Sequence, residues 1–193
     1  MNIRTLTLGD YQTNCYLVSD ENGDTAVIDP GDRPGEILNV ARAQHLTIRA
    51  VLLTHGHFDH VGAVRGIAEA THCPVYVGEK DLTLPAPLRG GLVATDTYGD
   101  RLCVGSLTFD VLPTPGHTAG SVCLRCGDAL FSGDTLFAGS CGRTDLGGDA
   151  AQMAASLSRL AALTEPLVVY PGHGPKTTLE REKACNPYLR ALP

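Results

Sequence analysis

Val51 to His60 reads V-L-L-T-H-G-H-F-D-H, an aliphatic run that breaks into three imidazoles (His55, His57, His60) and one carboxylate (Asp59) beside a glycine. Side chains alternate along an extended segment, so histidines two apart can point the same way, and His55 and His57 can share one cation. Asp59 and His60 follow a turn later and are free to aim at a second. Core packing gives no reason for four such groups so close together, because polar groups buried without partners are costly. The stretch reads as a metal site at the C-terminal end of a buried strand.

The chain around it has 193 residues, 43% hydrophobic and 19% charged, with 22 Gly and 12 Pro. That composition suits one globular domain over residues 1–193, large enough to bury a core without disulfides. The formal charge is −6, and no run of Lys or Arg offers a face for phosphates, so nucleic acid is not expected as a partner. The N-terminus shows neither a secretory leader pattern nor a membrane-spanning run. Seven cysteines, an odd number and scattered, are expected as free thiols in a reducing, cytoplasmic setting. Cys123 and Cys126 form a C-x-x-C pair, read as two strand cysteines on opposite sides of a turn.

Alternation and turn residues predict paired strands over 2–9 and 14–19, and a strand from Thr25 to Ile28 ending in Asp-Pro-Gly. An amphipathic helix is predicted from Pro34 to His45, then the apolar strand Ile48 to Leu53. A helix from Val61 to Ala70 leads to the strand Pro74–Val77. The stretch from Glu79 to Thr97 is the hardest to read and suggests a short helix and a mobile loop. Short strands follow at Leu102–Val104, Leu107–Leu112, Ser121–Leu124 and Ala129–Phe131. Gly147-Gly148-Asp149 lacks the strand and the Lys-Ser/Thr of a phosphate loop; Asp149 is the expected N-cap of a helix from Ala150 to Leu163. A strand from Leu167 to Tyr170 and a helix from Thr177 to Ala184 complete the chain, for an α/β fold of two mixed sheets with helices outside.

Three apolar strands end in glycine followed by histidine: VLLTHGH at His57, DVLPTPGH at His117 and VVYPGH at His173. The first two align nearly position for position, which hints at two related halves. A fourth strand, ALFSGD, ends in a glycine followed by Asp134. Five histidines and two aspartates exceed one tetrahedral ion and suit two ions that share a bridge, for which the carboxylate of Asp134 is the natural group. Imidazole and carboxylate donors admit Zn, Fe or Mn. His45 and His72 lack the pattern and are read as surface residues.

These residues resemble the metallo-β-lactamase superfamily, whose hallmark T-H-x-H-x-D-H stands here as Thr54-His55-Gly56-His57-Phe58-Asp59-His60, followed by His117, Asp134 and His173. The resemblance implies an αββα sandwich with two divalent ions, zinc first among the candidates, at one edge between the sheets. By the family's pattern His55, His57 and His117 hold one ion, Asp59, His60 and His173 the other, and Asp134 bridges them. Asp29, in V-I-D-P-G, matches an early Asp that supports ligands rather than binding metal.

Within the superfamily, Leu136 to Asp145 (L-F-A-G-S-C-G-R-T-D) and P-G-H-G-P-K-T-T-L-E-R-E are similar to glyoxalase II-like hydrolases of the short, single-domain kind. This implies a hydrolase cleaving small-molecule thioesters such as S-lactoylglutathione by a metal-bridging hydroxide, with Asp59 orienting the nucleophile and Arg143 facing the glutathione moiety. No membrane partner is implied. The full-length enzymes carry a C-terminal helical extension with further glutathione-binding residues, whereas this sequence ends at Pro193. Asp145 also replaces an aromatic residue often found there. The rival expectation is a mononuclear-iron persulfide dioxygenase of the same superfamily, which shares the G-C-G-R-T-D loop and would use His57, His117 and Asp134.

Overall fold

The computed structural model describes residues 1–191. Its first strands, β1 (Asn2–Leu8) and β2 (Thr13–Ser19), form an antiparallel hairpin. β2 pairs antiparallel with β3 (Asp24–Ile28), and helix α1 (Pro34–Ala43) then carries the chain across to β4 (Thr47–Leu52), parallel to β3. α2 (Phe58–Val61) and α3 (Val64–Thr71) lead to β5 (Val75–Val77), and β6 (Asp96–Thr97) closes the first six-stranded sheet.

The second sheet opens with an antiparallel meander, β7 (Arg101–Val104), β8 (Leu107–Pro113), β9 (Val122–Cys126) and β10 (Ala129–Gly133). A small hairpin of β11 (Leu136–Phe137) and β12 (Ser140–Cys141) precedes α5 (Ala150–Ala161). The chain returns as β13 (Val168–Pro171), parallel to β10, and then as β14 (Thr177–Thr178). Helices α6 (Leu179–Cys185) and α7 (Pro187–Arg190) follow; α4 (Ala86–Arg89) belongs to the segment after β5.

The alternating strands explain the layering, because each central strand has two apolar faces to bury. In β4 and just beyond it, Val51 and Leu53 join Ile37 of α1 and Val64 and Ile67 of α3, while Leu52 points the other way to meet Phe109, Leu124 and Phe131 of the second sheet. On that sheet's outer face, Cys123, Leu130 and Val169 pack under Met153, Leu157 and Leu160 of α5. Helix, sheet, sheet and helix thus enclose three apolar layers, the expected αββα sandwich.

Several boundaries differ from the expectations. The helix expected from Val61 begins at Phe58 and breaks before α3; a side chain at Gly62 would collide with the carbonyl of Gly31. Glu79 to Thr97 is not simply a mobile loop: it holds a 3-10 turn at Glu79–Thr83, α4 and the edge strand β6, with Asp81 fully buried. Cys123 and Cys126 lie in one strand rather than across a turn, and face different apolar layers. All seven cysteines are free. Thr177 and Thr178 are extended, so the last predicted helix begins at Leu179. No helix among the described residues is long and apolar enough to cross a membrane.

Candidate metal centre

The site lies where β4, β8, β10 and β13 release the chain. Asp29, just after β3, anchors the first turn: its Oδ1 accepts from the Thr54 N–H (2.7 Å) and its Oδ2 from the Thr54 hydroxyl (2.6 Å). With its only proton given to Asp29, Thr54 Oγ1 can only accept from His55 Nδ1, 3.1 Å away. That leaves His55 Nε2 as a lone pair, and this atom is buried without a hydrogen-bond partner.

The same argument sets the other rings, because a carbonyl oxygen can only accept. His57 Nε2 donates to Leu146 O (3.2 Å), His117 Nδ1 to Arg143 O (2.6 Å) and His173 Nδ1 to Tyr11 O (3.0 Å). His60 Nδ1 faces Asp29 Oδ2 at 3.1 Å. His55, His57 and His117 therefore turn an unprotonated nitrogen inward, the arrangement by which outer partners orient metal-binding histidines, while His60 and His173 turn Nε2 toward the carboxylates of Asp59 and Asp134. Inner nitrogens of His57 and His117 stand 2.8 Å apart, and those of His60 and His173 3.3 Å apart. The lone pairs of His57 and His117, that close, repel one another unless a cation lies between them.

Two groups result: His55, His57 and His117 within ligating range of one another, and likewise Asp59, His60 and His173. Asp134 reaches both, with Oδ2 3.4 Å from His117 Nε2 and Oδ1 3.4 Å from His60 Nε2. Its Oδ1 is buried and lacks a hydrogen-bond partner. Asp59 Oδ2 lies 3.2 Å from His173 Nε2. Asp29, His55 and His60 are also mutually close, but both oxygens of Asp29 already accept from Thr54. The donor set and its orphaned atoms fit a pair of cations.

Electrostatics follow from burial and from the two carboxylates. Burial presses His55, His57 and His117 toward the neutral form, below the usual imidazole pKa. Burial acts on His60 in the same direction, but Asp134 and Asp29 outweigh it and hold its pKa well above the usual value. Burial would raise the Asp59 carboxyl, yet the hydrogen bond from His173 and the charge of His60 bring it down to about 2.

Beside these two groups, Tyr11, Phe58, Phe137 and Leu146 line a cavity of about 370 Å³ that also reaches Arg143. Arg143 is exposed and is gripped by Asp145: its Nε and Nη2 donate to the two carboxylate oxygens at 2.6 Å each. Sequence reasoning missed the carbonyl acceptors of Tyr11 and Leu146, which carry no side-chain signal, and Asp81, which sat in the unreadable stretch.

A family profile described as the metallo-beta-lactamase superfamily matches residues 8–173. The chain belongs to the metallo-beta-lactamase superfamily. Hydroxyacylglutathione hydrolase GloC of Haemophilus influenzae is 32% identical over 99% of both chains. Among solved structures, the B3 metallo-beta-lactamase BLEG-1 is 35% identical with a TM-score of 0.90, over 97% of this chain and 99% of that one. TTHA1623, solved in a di-iron-bound form, is 40% identical with a TM-score of 0.85, over 96% and 100%. ETHE1 from Myxococcus xanthus is 34% identical with a TM-score of 0.83, over 97% and 84%. Family and relatives together indicate a metal-dependent hydrolase acting on a small molecule.

Proposed function

We propose that this chain, as one domain, is a dinuclear-metal thioester hydrolase whose substrates are S-acyl-glutathione conjugates such as S-lactoylglutathione. The observation that carries this reading is Asp134, whose two oxygens face inward nitrogens of two adjacent imidazole groups, His117 on one side and His60 on the other. His55, His57 and His117 would hold one ion, Asp59, His60 and His173 the other, and Asp134 would bridge them. Zinc suits these donors, with iron or manganese as alternatives. When bound, the ions supply a water acidified to a pKa of about 7 and Lewis acidity toward a carbonyl oxygen.

The chain's own residues supply the rest. Asp59, ionised at neutral pH, accepts a hydrogen bond from the attacking water and aims it at the thioester carbon. Tyr11, Phe58, Phe137 and Leu146 offer an apolar mouth that seats the acyl group and excludes bulk water. Arg143 faces the carrier, for which a groove of about 740 Å³ beside Met153, Leu157 and Tyr188 has room. A thiol pKa near about 8.5 makes the thiolate a good leaving group without a dedicated acid. The free cysteines support a reducing compartment, and the reading places the protein in the cytoplasm.

A second reading, a persulfide dioxygenase with one iron on His57, His117 and Asp134, draws support from the Cys141-Gly142-Arg143-Thr144-Asp145 loop. Metal analysis beside thioester hydrolysis and O₂ uptake separates the two. Two metals per chain with thioester turnover is the expected result; one iron with persulfide-dependent O₂ consumption would overturn it. Asp59→Ala is expected to abolish turnover, and unchanged metal content and rate would refute its role.

A further inference from the structure

Asp81 lies outside every motif named so far, in the 3-10 turn after β5, and is fully buried. Its Oδ2 accepts from the Gly56 N–H and from the Thr118 hydroxyl, and its Oδ1 from the Gly120 N–H, each at 2.8 Å. Gly56 stands between His55 and His57, and Thr118 directly follows His117. One carboxylate therefore ties the ligand loop of the first sheet to that of the second.

The fit is close on every side. A side chain at Gly120 would fall 2.6 Å from Asp81 Oδ1, and one at Gly56 would lie 3.2 Å from Asp81 Cβ. A side chain at Gly78, where the turn begins, would collide with the Gly120 carbonyl. Leu84 and Leu92, from the same segment, close over Gly56. The other group is supported differently: His60 by Asp29, and His173 by the Tyr11 carbonyl.

The geometry points to Asp81 as a positioning residue that sets the spacing of the His55, His57 and His117 pocket and leaves the Asp59, His60 and His173 pocket alone. This inference rests on the reading of those histidines as metal ligands. Three donors meet one anion here, so the side chain must be all acceptor. Asn has the same shape but carries an NH₂ group, and in either orientation that group would face the Gly56 or the Gly120 N–H. A misplaced partner at a ligand loop lowers metal affinity by about 10- to 100-fold.

The test is Asp81→Asn in the full chain, loaded with Zn²⁺ and dialysed against graded chelator, with metal content, apoprotein melting, kcat and KM measured. One equivalent is expected to leave at a chelator strength about 10-fold or more below that needed for the wild type. The second equivalent is retained, and kcat falls with KM little changed. If Asp81→Asn fails to fold, Thr118→Val, which removes one of the three donors, gives the same selective loss in smaller measure. Loss of both equivalents in parallel, or wild-type retention of both, would overturn the proposal. His57→Ala separates the two levels: if it too retains both ions, the metal-centre reading falls and this inference with it. If His57→Ala loses one ion while Asp81→Asn and Thr118→Val lose none, only the positioning role is wrong.

Discussion

His57 Nδ1 and His117 Nε2 face one another at 2.8 Å, and neither has a proton to offer, because the far nitrogen of each ring donates to a backbone carbonyl. The contact is a repulsion waiting for a cation. Removing either ring should remove one ion: His117→Ala is expected to hold about one fewer metal per chain and to lose thioesterase activity, as read by elemental analysis and turnover.

Metal removal should also soften the fold, since the inward lone pairs of His55, His57 and His117 are left facing one another. An ion present at about 1,000 times its dissociation constant contributes about 4 kcal/mol, which for a domain of this size is about 10 °C in Tm. Thermal melts with and without a strong chelator check this. An unchanged Tm would argue that the ions do not bind the folded protein.

Arg143 spends two of its donors on Asp145, 2.6 Å away on each oxygen. A carrier carboxylate must compete with that clamp. Asp145→Ala is expected to raise kcat/KM several-fold for a thioester of glutathione and to leave a thioester of an uncharged thiol unchanged. Equal effects on both would remove Arg143 from carrier recognition.

Glu182 is buried and accepts from Gly139 N (2.7 Å), Thr177 Oγ1 (2.7 Å) and Asn186 Nδ2 (2.8 Å), joining α6 to the loop that leads to Arg143. Glu182→Ala would strand the Gly139 N–H and the Thr177 hydroxyl, while Asn186 Nδ2 keeps the carbonyls of Phe137 and Ser140, at a cost of about 2 kcal/mol. Denaturant titration should show the loss as an earlier midpoint with an unchanged slope.

Asp20 ties the turn after β2 to Ser106 in the turn between β7 and β8; four hydrogen bonds reach its oxygens, from Asn22 N, Asp24 N and the N–H and hydroxyl of Ser106. Its carboxyl is held down at about 2, led by the Ser106 N–H. A depressed folded-state pKa adds stability above the unfolded value of about 3.9, and that stability is lost as pH falls toward 2. Asp20→Asn should melt below the wild type at pH 7, and the gap should close between about pH 4 and pH 2. A gap independent of pH would mean that the carboxylate charge plays no part.

Much of this was legible in the sequence because it is local. The apolar run of β4 needs only its neighbours to be read as a strand buried on both faces. Asp149 caps α5 by accepting from Gln152 N, three residues on, and such short-range bonds leave a signature in the residues themselves. The clustering of His55, His57, Asp59 and His60 announces metal chemistry before any fold is known.

Other features depend on which distant segments pack together. Two alike stretches, VLLTHGH and DVLPTPGH, end on different sheets, and only the sandwich brings His57 to His117. The partners that set the ring tautomers are backbone carbonyls at Tyr11, Arg143 and Leu146, which no side chain advertises. Asp81 looked like one acid in an unreadable loop until packing buried it between two ligand turns. The sequence by itself determined the ligand chemistry and the strand pattern, both properties of neighbouring residues. Only the tertiary structure decided the tautomers and the buried carboxylate, because hydrogen bonds across dozens of residues exist only once the two sheets have met.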